Sequence, residues 1–294
     1  MSKPLVSVLM TAYNREAYLE NAMLSVLASS YRNLELIVVD DASSDCTFEI
    51  ARAIAASDGR VRVYRNKTNL GDYPNRNQAA LYARGKYLKY VDADDMIYPH
   101  GLAVMVNAME LFPDAALGMQ CNIREHIKPY PFLVSSHEAF MEHFLGKGFF
   151  TSGPTGTIIR KTMFDEAGGF QSVRFTGDTE LWMRLTRKSP VVLFHPALIW
   201  WRTHPQQESV HERANYEQQL LARHSCVESA LNDQDIPLNE NQKREAFWRY
   251  RRFRARSVLR DLMRGNVGKA MITQKVTGIS LWDILSALAP KKYA

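Results

Sequence analysis

The changing hydrophobic period constrains this chain most. Between Val6 and Leu111 it switches repeatedly from continuous apolar runs of strand length to stripes at i, i+3, i+4 spacing and back. Val6 to Thr11 reads as a strand, followed by a helix carrying Leu19, Ala22, Met23, Val26 and Leu27, with Asn14 suited to its N-cap. Leu34 to Val39 reads as a second strand ending on Asp40 and Asp41, after which Ser43 or Ser44 caps a helix with Phe48, Ala51, Ile54 and Ala55. Val61 to Tyr64 is a third strand. Asn75 to Arg84 is a helix stopped by Gly85, and Lys86 to Val91 is a strand running into an acidic cluster. Pro99 suits the first turn of a helix reaching about Leu111. Strands apolar on both faces, alternating with helices, require βαβ units. The fold class is therefore α/β: a mainly parallel twisted sheet flanked by helices, Rossmann-like in layout.

In such sheets ligands bind beyond the carboxyl ends of the strands. Thr11, Tyr13, Asp40, Asp41 and Asp92 to Asp95 all fall at those ends and should converge on one crevice. The run Asp92-Ala93-Asp94-Asp95 has no basic residue beside it in sequence. Carboxylates this close repel one another unless a cation joins them, and oxygen ligands suit Mg2+ or Mn2+, with substrate phosphates filling further positions. Taken alone, the cluster also reads as a solvated acidic turn with Asp95 capping the next helix. Asp40 and Asp41 can accept hydrogen bonds from a base imide or a sugar hydroxyl, or Asp41 and Ser43 cap the helix that follows. Tyr13 stacks on a base or packs locally, and Arg76 meets a diphosphate or is an exposed helix arginine. No GxGxxG follows the first strand and no P-loop occurs, so a nucleotide would be held by carboxylates and a metal. That pattern favours a nucleotide diphosphate donor over a hydride carrier or a hydrolysed triphosphate.

Beyond residue 112 the alternation loosens. Leu117 to Ile123 and Thr155 to Arg160 read as strands, and Ser135 with Glu138 forms a capping box for a helix through Leu145. Gly168-Gly169 stops a helix, Asp178 to Arg187 forms another, and Val191 to Phe194 and Leu198 to Arg202 are short strands. From about Val210 the chain reads as helical, with breaks near Asp235 to Pro237 and at Gly265. The expected division is a main domain over 1–210, with halves 1–112 and 113–210, and a C-terminal helical extension over 211–294.

The formal charge of +6 is concentrated in that extension. Trp248, Ala255, Leu259 and Leu262 form a stripe among arginines, and Ile279 to Leu288 adds a second apolar stretch with Trp282. Two readings stay open: a basic amphipathic surface for anionic membrane, or helices packed on the main domain or on a second subunit as a homodimer. Nucleic acid is not expected as a partner, because no separate basic platform interleaved with aromatics occurs. No window approaches the roughly 18 apolar residues of a membrane span. The three cysteines are widely spaced with no CxxC pair. A cytoplasmic protein is expected, peripheral at the inner face of the membrane if the basic helices bind lipid.

The segments Val6 to Asn14, Ile37 to Asp45, Asn69-Leu70-Gly71, Arg76-Asn77, Ala83 to Tyr87 and Val91 to Asp95 resemble, in order and spacing, the N-terminal half of the family-2 glycosyltransferases of GT-A fold. Gly168-Gly169-Phe170 and Gly177 to Leu185 are similar to the family's acceptor-side segment, and Trp201-Arg202-Thr203-His204 to its closing element. The similarity covers roughly residues 4 to 210. It implies Thr11, Tyr13 and Asp41 at the base, Arg76 near the base or phosphates, and Asp92 at the ribose or metal. It further implies Asp94 and Asp95 at a Mn2+ or Mg2+ ion, Arg202 and His204 reaching the diphosphate or metal, and Asp178 as catalytic base. One departure is Gly177, which stands where the family often has a second acid.

The implied activity is inverting transfer of a sugar from a nucleotide diphosphate sugar to the hydroxyl of a saccharide or lipid-linked acceptor, in bacterial surface polysaccharide or glycoconjugate synthesis. UDP is favoured because an aspartate near the base suits uracil N3–H. Two competing classes are a catalytically silent nucleotide-sugar or polysaccharide binding module, which the missing acid at Gly177 favours, and a sugar-1-phosphate nucleotidyltransferase. The latter usually carries a glycine-rich basic loop after the first strand, where this chain has Thr11 to Arg15 without glycine.

Overall fold

The computed structural model describes residues 3–120, 128–205, 207 and 215–288. The chain forms two compact units. One comprises Met1–Ala139, Phe150–Ser172 and Gly177–Thr203; the other comprises Phe140–Phe149, Val173–Thr176 and His204–Ala294.

The first unit begins with strictly alternating elements: β1 (Val6–Ala12), α1 (Leu19–Leu27), β2 (Leu34–Asp40), α2 (Thr47–Ser57), β3 (Val61–Arg65), α3 (Asp72–Leu81) and β4 (Tyr87–Tyr90). The short β5 (Met96–Ile97) and α4 (Gly101–Leu111) follow. Next come β6 (Leu117–Gln120), β7 (Phe132–Val134), α5 (Ser136–Leu145), whose residues from Phe140 onward belong to the second unit, β8 (Thr157–Arg160), α6 (Lys161–Glu166), α7 (Gly177–Thr186), β9 (Val191–Phe194) and β10 (Ile199–Trp200). Of the expected strand Leu117 to Ile123, the part past Gln120 lies outside the described residues. Eight strands make one sheet in the order β3-β2-β1-β4-β8-β6-β9-β7, and β5 pairs antiparallel with β10. The β3-β2-β1-β4 half is parallel throughout. Antiparallel β8 joins it to a mixed half in which β6 and β9 are parallel. Residues of β1 and β2 are buried almost without exception, as strands covered on both faces require. Val8, Met10 and Val38 from these strands share one core with Met23 and Val26 of α1 and Met105 of α4.

Several local expectations give way to tertiary contacts. Asn14 does not cap α1, whose N-cap is Tyr18. Asn14 instead adopts a φ of 51° and accepts a hydrogen bond from the Ser44 amide at 2.9 Å, tying the β1 loop to the β2 loop. Neither Ser43 nor Ser44 caps α2; its first turn is held by Asp45, which accepts from the Thr47 amide at 3.0 Å. Helix α3 starts at Asp72 rather than Asn75, with Pro74 tolerated in the first turn. Gly85 is no helix stop. A Cβ there would lie 2.5 Å from the Ser7 nitrogen and 2.8 Å from the Leu5 oxygen, so glycine is needed for the close approach of two backbones. The Ser135–Glu138 capping box forms, and Gly168 and Gly169 end α6 with φ of 77° and 70°.

In the second unit, α8 (Tyr216–Asn232), α9 (Glu240–Met263), α10 (Val267–Thr277) and α11 (Leu281–Leu288) are helical as the sequence predicts. Asn239 and Gln242 form a full capping box at α9. Ala255 packs with Ile279 and Ile284, and Arg251 pairs with Asp283 at 2.7 Å. Arg249 donates to the Leu145 carbonyl. The outer side of α11 leaves Leu281 and Trp282 exposed at 73% and 78%. Among the described residues, no helix is long and apolar enough to cross a membrane.

Candidate active site

Because β1, β2 and β4 are adjacent and parallel, their carboxyl ends open on the same edge of the sheet. Asp92, Asp94 and Asp95 follow β4 directly. Asp95 is buried, while Asp92 and Asp94 are half-buried. Cationic partners absent from the local sequence arrive from elsewhere in the fold. Arg15, in the loop after β1, pairs with Asp94 at 3.2 Å, and Arg76, from α3, pairs with Asp92 at 2.8 Å. The β5–β10 pair delivers Arg202, whose amide donates to Asp95 Oδ1 at 3.1 Å and whose Nε donates to the Asp94 carbonyl at 2.8 Å. Its guanidinium also lies 4.7 Å from the Trp200 ring centroid and 5.2 Å from that of Tyr18.

Beneath the acidic turn, Lys89 of β4 is fully buried and its ammonium donates to the Thr155 carbonyl. Burial pushes Lys89 down to about 7, against the pull of Asp92 and Asp95. Thr155 Oγ1 accepts from the Asp92 amide at 3.1 Å. Asp95 is held well above the carboxylate range, first by burial and then by repulsion from Asp92 and Asp94.

Arg76 is a second hub. It is buried, bonds Asp72 at 2.8 Å as well as Asp92, and feels the charge of Asp178. Asp178 stands in the first turn of α7, where burial pushes its carboxyl up to about 7. Arg76 opposes that rise, and Asp72 and Asp92 add to it. One of its oxygens, Oδ1, is buried without a hydrogen-bond partner. A carboxyl half-ionised near neutral pH, with a free oxygen, is suited to taking a proton from a hydroxyl.

The nucleotide residues expected from sequence lie around the same edge. Thr11 is the next-to-last paired residue of β1, opposite Val39, and Tyr13 is 47% exposed just beyond the strand. Asp41 does not cap α2. It accepts from Asn66 Nδ2 at 2.7 Å and from the Leu70 and Gly71 amides at 2.9 Å each, which fixes the loop before α3. Four acceptor positions less these three bonds leave one for a base imide. Asp40 is internal: its carboxylate takes Arg65 at 3.1 Å and the Ser43 amide at 3.2 Å. His204 opens the second unit, where its amide donates to Gln207 at 2.9 Å.

The donor set fits a hard divalent ion in kind, since Asp92, Asp94 and Asp95 offer carboxylate oxygens within one turn. Among the described residues, no group of three or more histidine, cysteine, aspartate or glutamate side chains is arranged to hold an ion. An ion would therefore be shared with phosphate oxygens, the usual habit of Mg2+. Arg15, Lys89 and Tyr73 escaped the sequence reading. Only Arg15 carried a signal, its place just past a strand end.

A family model described as glycosyl transferase family 2 matches residues 7–168, more than half of the chain. An uncharacterized glycosyltransferase of Haemophilus influenzae is 40% identical over 109 residues, which cover 37% of this chain and 44% of that protein. The chain spans 33 to 65% of the length of the first curated relatives it matches. Among solved structures, Staphylococcus aureus TarS 1-349 in complex with UDP-GlcNAc superposes with a TM-score of 0.65 at 20% identity, covering 83% of this chain and 71% of that one. The mannosyltransferase PcManGT from Pyrobaculum calidifontis, in complex with GDP-Man and Mn2+, gives a TM-score of 0.65 at 14% identity, covering 97% and 79%. At these identities the two structures establish the shared GT-A fold.

Proposed function

The chain belongs to glycosyl transferase family 2, and on that premise we propose that it transfers a sugar from a nucleotide diphosphate sugar to an acceptor hydroxyl with inversion, in polysaccharide or glycoconjugate synthesis. The observation that carries this reading is Arg76, which couples Asp92 on the donor side to Asp178 on the acceptor side. Asp178 takes the acceptor proton through its free oxygen as the acceptor oxygen attacks the anomeric carbon opposite the departing diphosphate. Single displacement in that geometry inverts the centre. Thr11, Tyr13 and Asp41 hold the base, Asp92 the ribose, and Arg202 the diphosphate. Asp94 and Asp95 hold Mn2+ or Mg2+, which when bound supplies positive charge to the leaving diphosphate. UDP is the proposed nucleotide, from the one acceptor position left on Asp41 and from the UDP-GlcNAc bound by TarS.

We also propose that the second unit meets an anionic membrane surface, which would suit a lipid-linked acceptor. The exposed Leu281 and Trp282 of α11, in a unit whose helix α9 is rich in arginine, support this over complete packing of the helices.

A thermal-shift panel of UDP-, GDP- and dTDP-sugars with and without Mn2+ tests the main reading, since a ligand of the native state raises its melting temperature by mass action. A UDP-sugar should raise it only with Mn2+, and incubation with that donor should release UDP slowly. Stabilisation without transfer or donor hydrolysis would leave a binding module. No response to any donor would overturn the proposal.

A further inference from the structure

Gly177, the position at which the chain departs from its family, has no room for a side chain. A Cβ there would lie 2.5 to 2.8 Å from three carbons at the hydroxyl end of the Tyr73 ring. Tyr73 sits in the first turn of α3 and is only 9% exposed. Its ring stacks on Phe170 with centroids 5.4 Å apart. Phe170 is itself clamped by Asn77, which accepts from the Phe170 amide at 2.8 Å and donates to its carbonyl at 2.7 Å. The ring is thus fixed from one side by a clamped aromatic and from the other by a bare glycine. The same approach puts its hydroxyl end against the start of α7 beside Asp178, where a hydrogen bond from Tyr73 lowers the carboxyl and one from the Asp178 amide lowers the phenol.

We propose that Tyr73 is the positioning residue for Asp178: its hydroxyl holds one carboxylate oxygen and directs the other, Oδ1, to the acceptor, and Gly177 is glycine so that the ring can stand there. The inference rests on the reading of Asp178 as base. It replaces a second carboxylate beside the base with a neutral phenol. Burial, and after it the charges of Asp178 and Asp72, keep that phenol protonated. A neutral donor beside the base orients the carboxylate without the repulsion a second anion would bring.

The charged groups facing Asp178 are Arg76 and Asp72 from α3 and Asp92 after β4, and Tyr73 adds a hydrogen bond that favours the ionised form. Tyr73→Phe keeps the ring against Gly177 and removes only that bond. In this variant kcat should fall roughly ten- to a hundredfold, the scale of a hydrogen bond to a charged group. Donor KM should stay within about twofold, and the acid limb of kcat/KM should move to higher pH, because the carboxylate loses a stabilising donor. A purely structural tyrosine would lower thermal stability and leave the pH limb in place. Gly177→Ala should lose both stability and turnover, and its stability cost should be smaller when it is added to Tyr73→Ala than when it is added to the wild type, with kcat low in every one of these variants.

Asp178→Asn, measured alongside, separates the two ideas. If it turns over at the wild-type rate, the base assignment fails whatever Tyr73 does. If it is inactive while Tyr73→Phe keeps wild-type kcat and pH limb, or if Gly177→Ala behaves as wild type, the positioning role is refuted.

Discussion

Asp178→Asn has two consequences of opposite sign, one for rate and one for stability. A positioned general base contributes about 10²- to 10⁴-fold, so kcat should fall by that factor while donor affinity holds. In the wild type, a carboxyl at about 7 is roughly one-tenth ionised at pH 6, and the rate should drop about tenfold per unit below neutrality. The same shift acts against folding. The folded value lies above the ordinary 3.8, so between the two values the native state binds more protons than the unfolded chain, and stability is lost as pH rises through that window. Integrated from pH 5 to pH 8, the loss amounts to up to about 3 kcal/mol. Asparagine cannot ionise and escapes it. Thermal melts of both proteins at pH 5 and pH 8 should therefore show the variant gaining on the wild type by several degrees as pH rises, even as [sugar-14C] transfer collapses. An active variant, or one with the same stability gap at both pH values, would refute the reasoning.

Two further outcomes are expected. Asp94→Asn should abolish the donor-induced thermal shift seen with Mn2+ and lower metal-stimulated transfer at least about a hundredfold, yet change metal-free stability by less than about 1 kcal/mol, because its partly exposed pair with Arg15 is worth little; metal-dependent transfer at the wild-type rate would remove Asp94 from the ion. The intact chain should float with vesicles containing anionic phosphatidylglycerol and lose that binding in Leu281→Ser/Trp282→Ser, whereas absence of flotation by the wild type would reject the membrane surface.

The parallel half of the sheet was legible because its strands are covered on both faces, and continuous apolar runs record that burial directly. Glycine pairs and capping boxes were equally legible, since each acts within a few residues: Gly168-Gly169 closes α6 and Ser135 with Glu138 opens α5. Misreadings arose where a residue serves a distant backbone. Asn14, Asp41 and Gly85 each look like helix punctuation, and each instead answers a contact about 30 to 80 residues away. Periodicity also does not register Lys89, whose strand neighbours are apolar and whose ammonium finds its acceptor 66 residues later.

The pairing of charges follows from topology rather than from local pattern. Arg15 and Asp94 are 79 residues apart, so no window joins them. Both lie just past the ends of strands that turn out to be parallel neighbours, β1 and β4. Once a right-handed βαβ arrangement is accepted, residues at similar distances beyond adjacent strands become candidates for contact. Arg15 follows β1 by three residues and Asp94 follows β4 by four. The same step does not reach Tyr73 and Asp178, because both sit in helix first turns, and the orientation of α3 against α7 is set by the Phe170 stack and the space at Gly177. Asp178 was therefore reached as a base only through resemblance, and the contact of Tyr73 with the start of its helix became visible only in the packing.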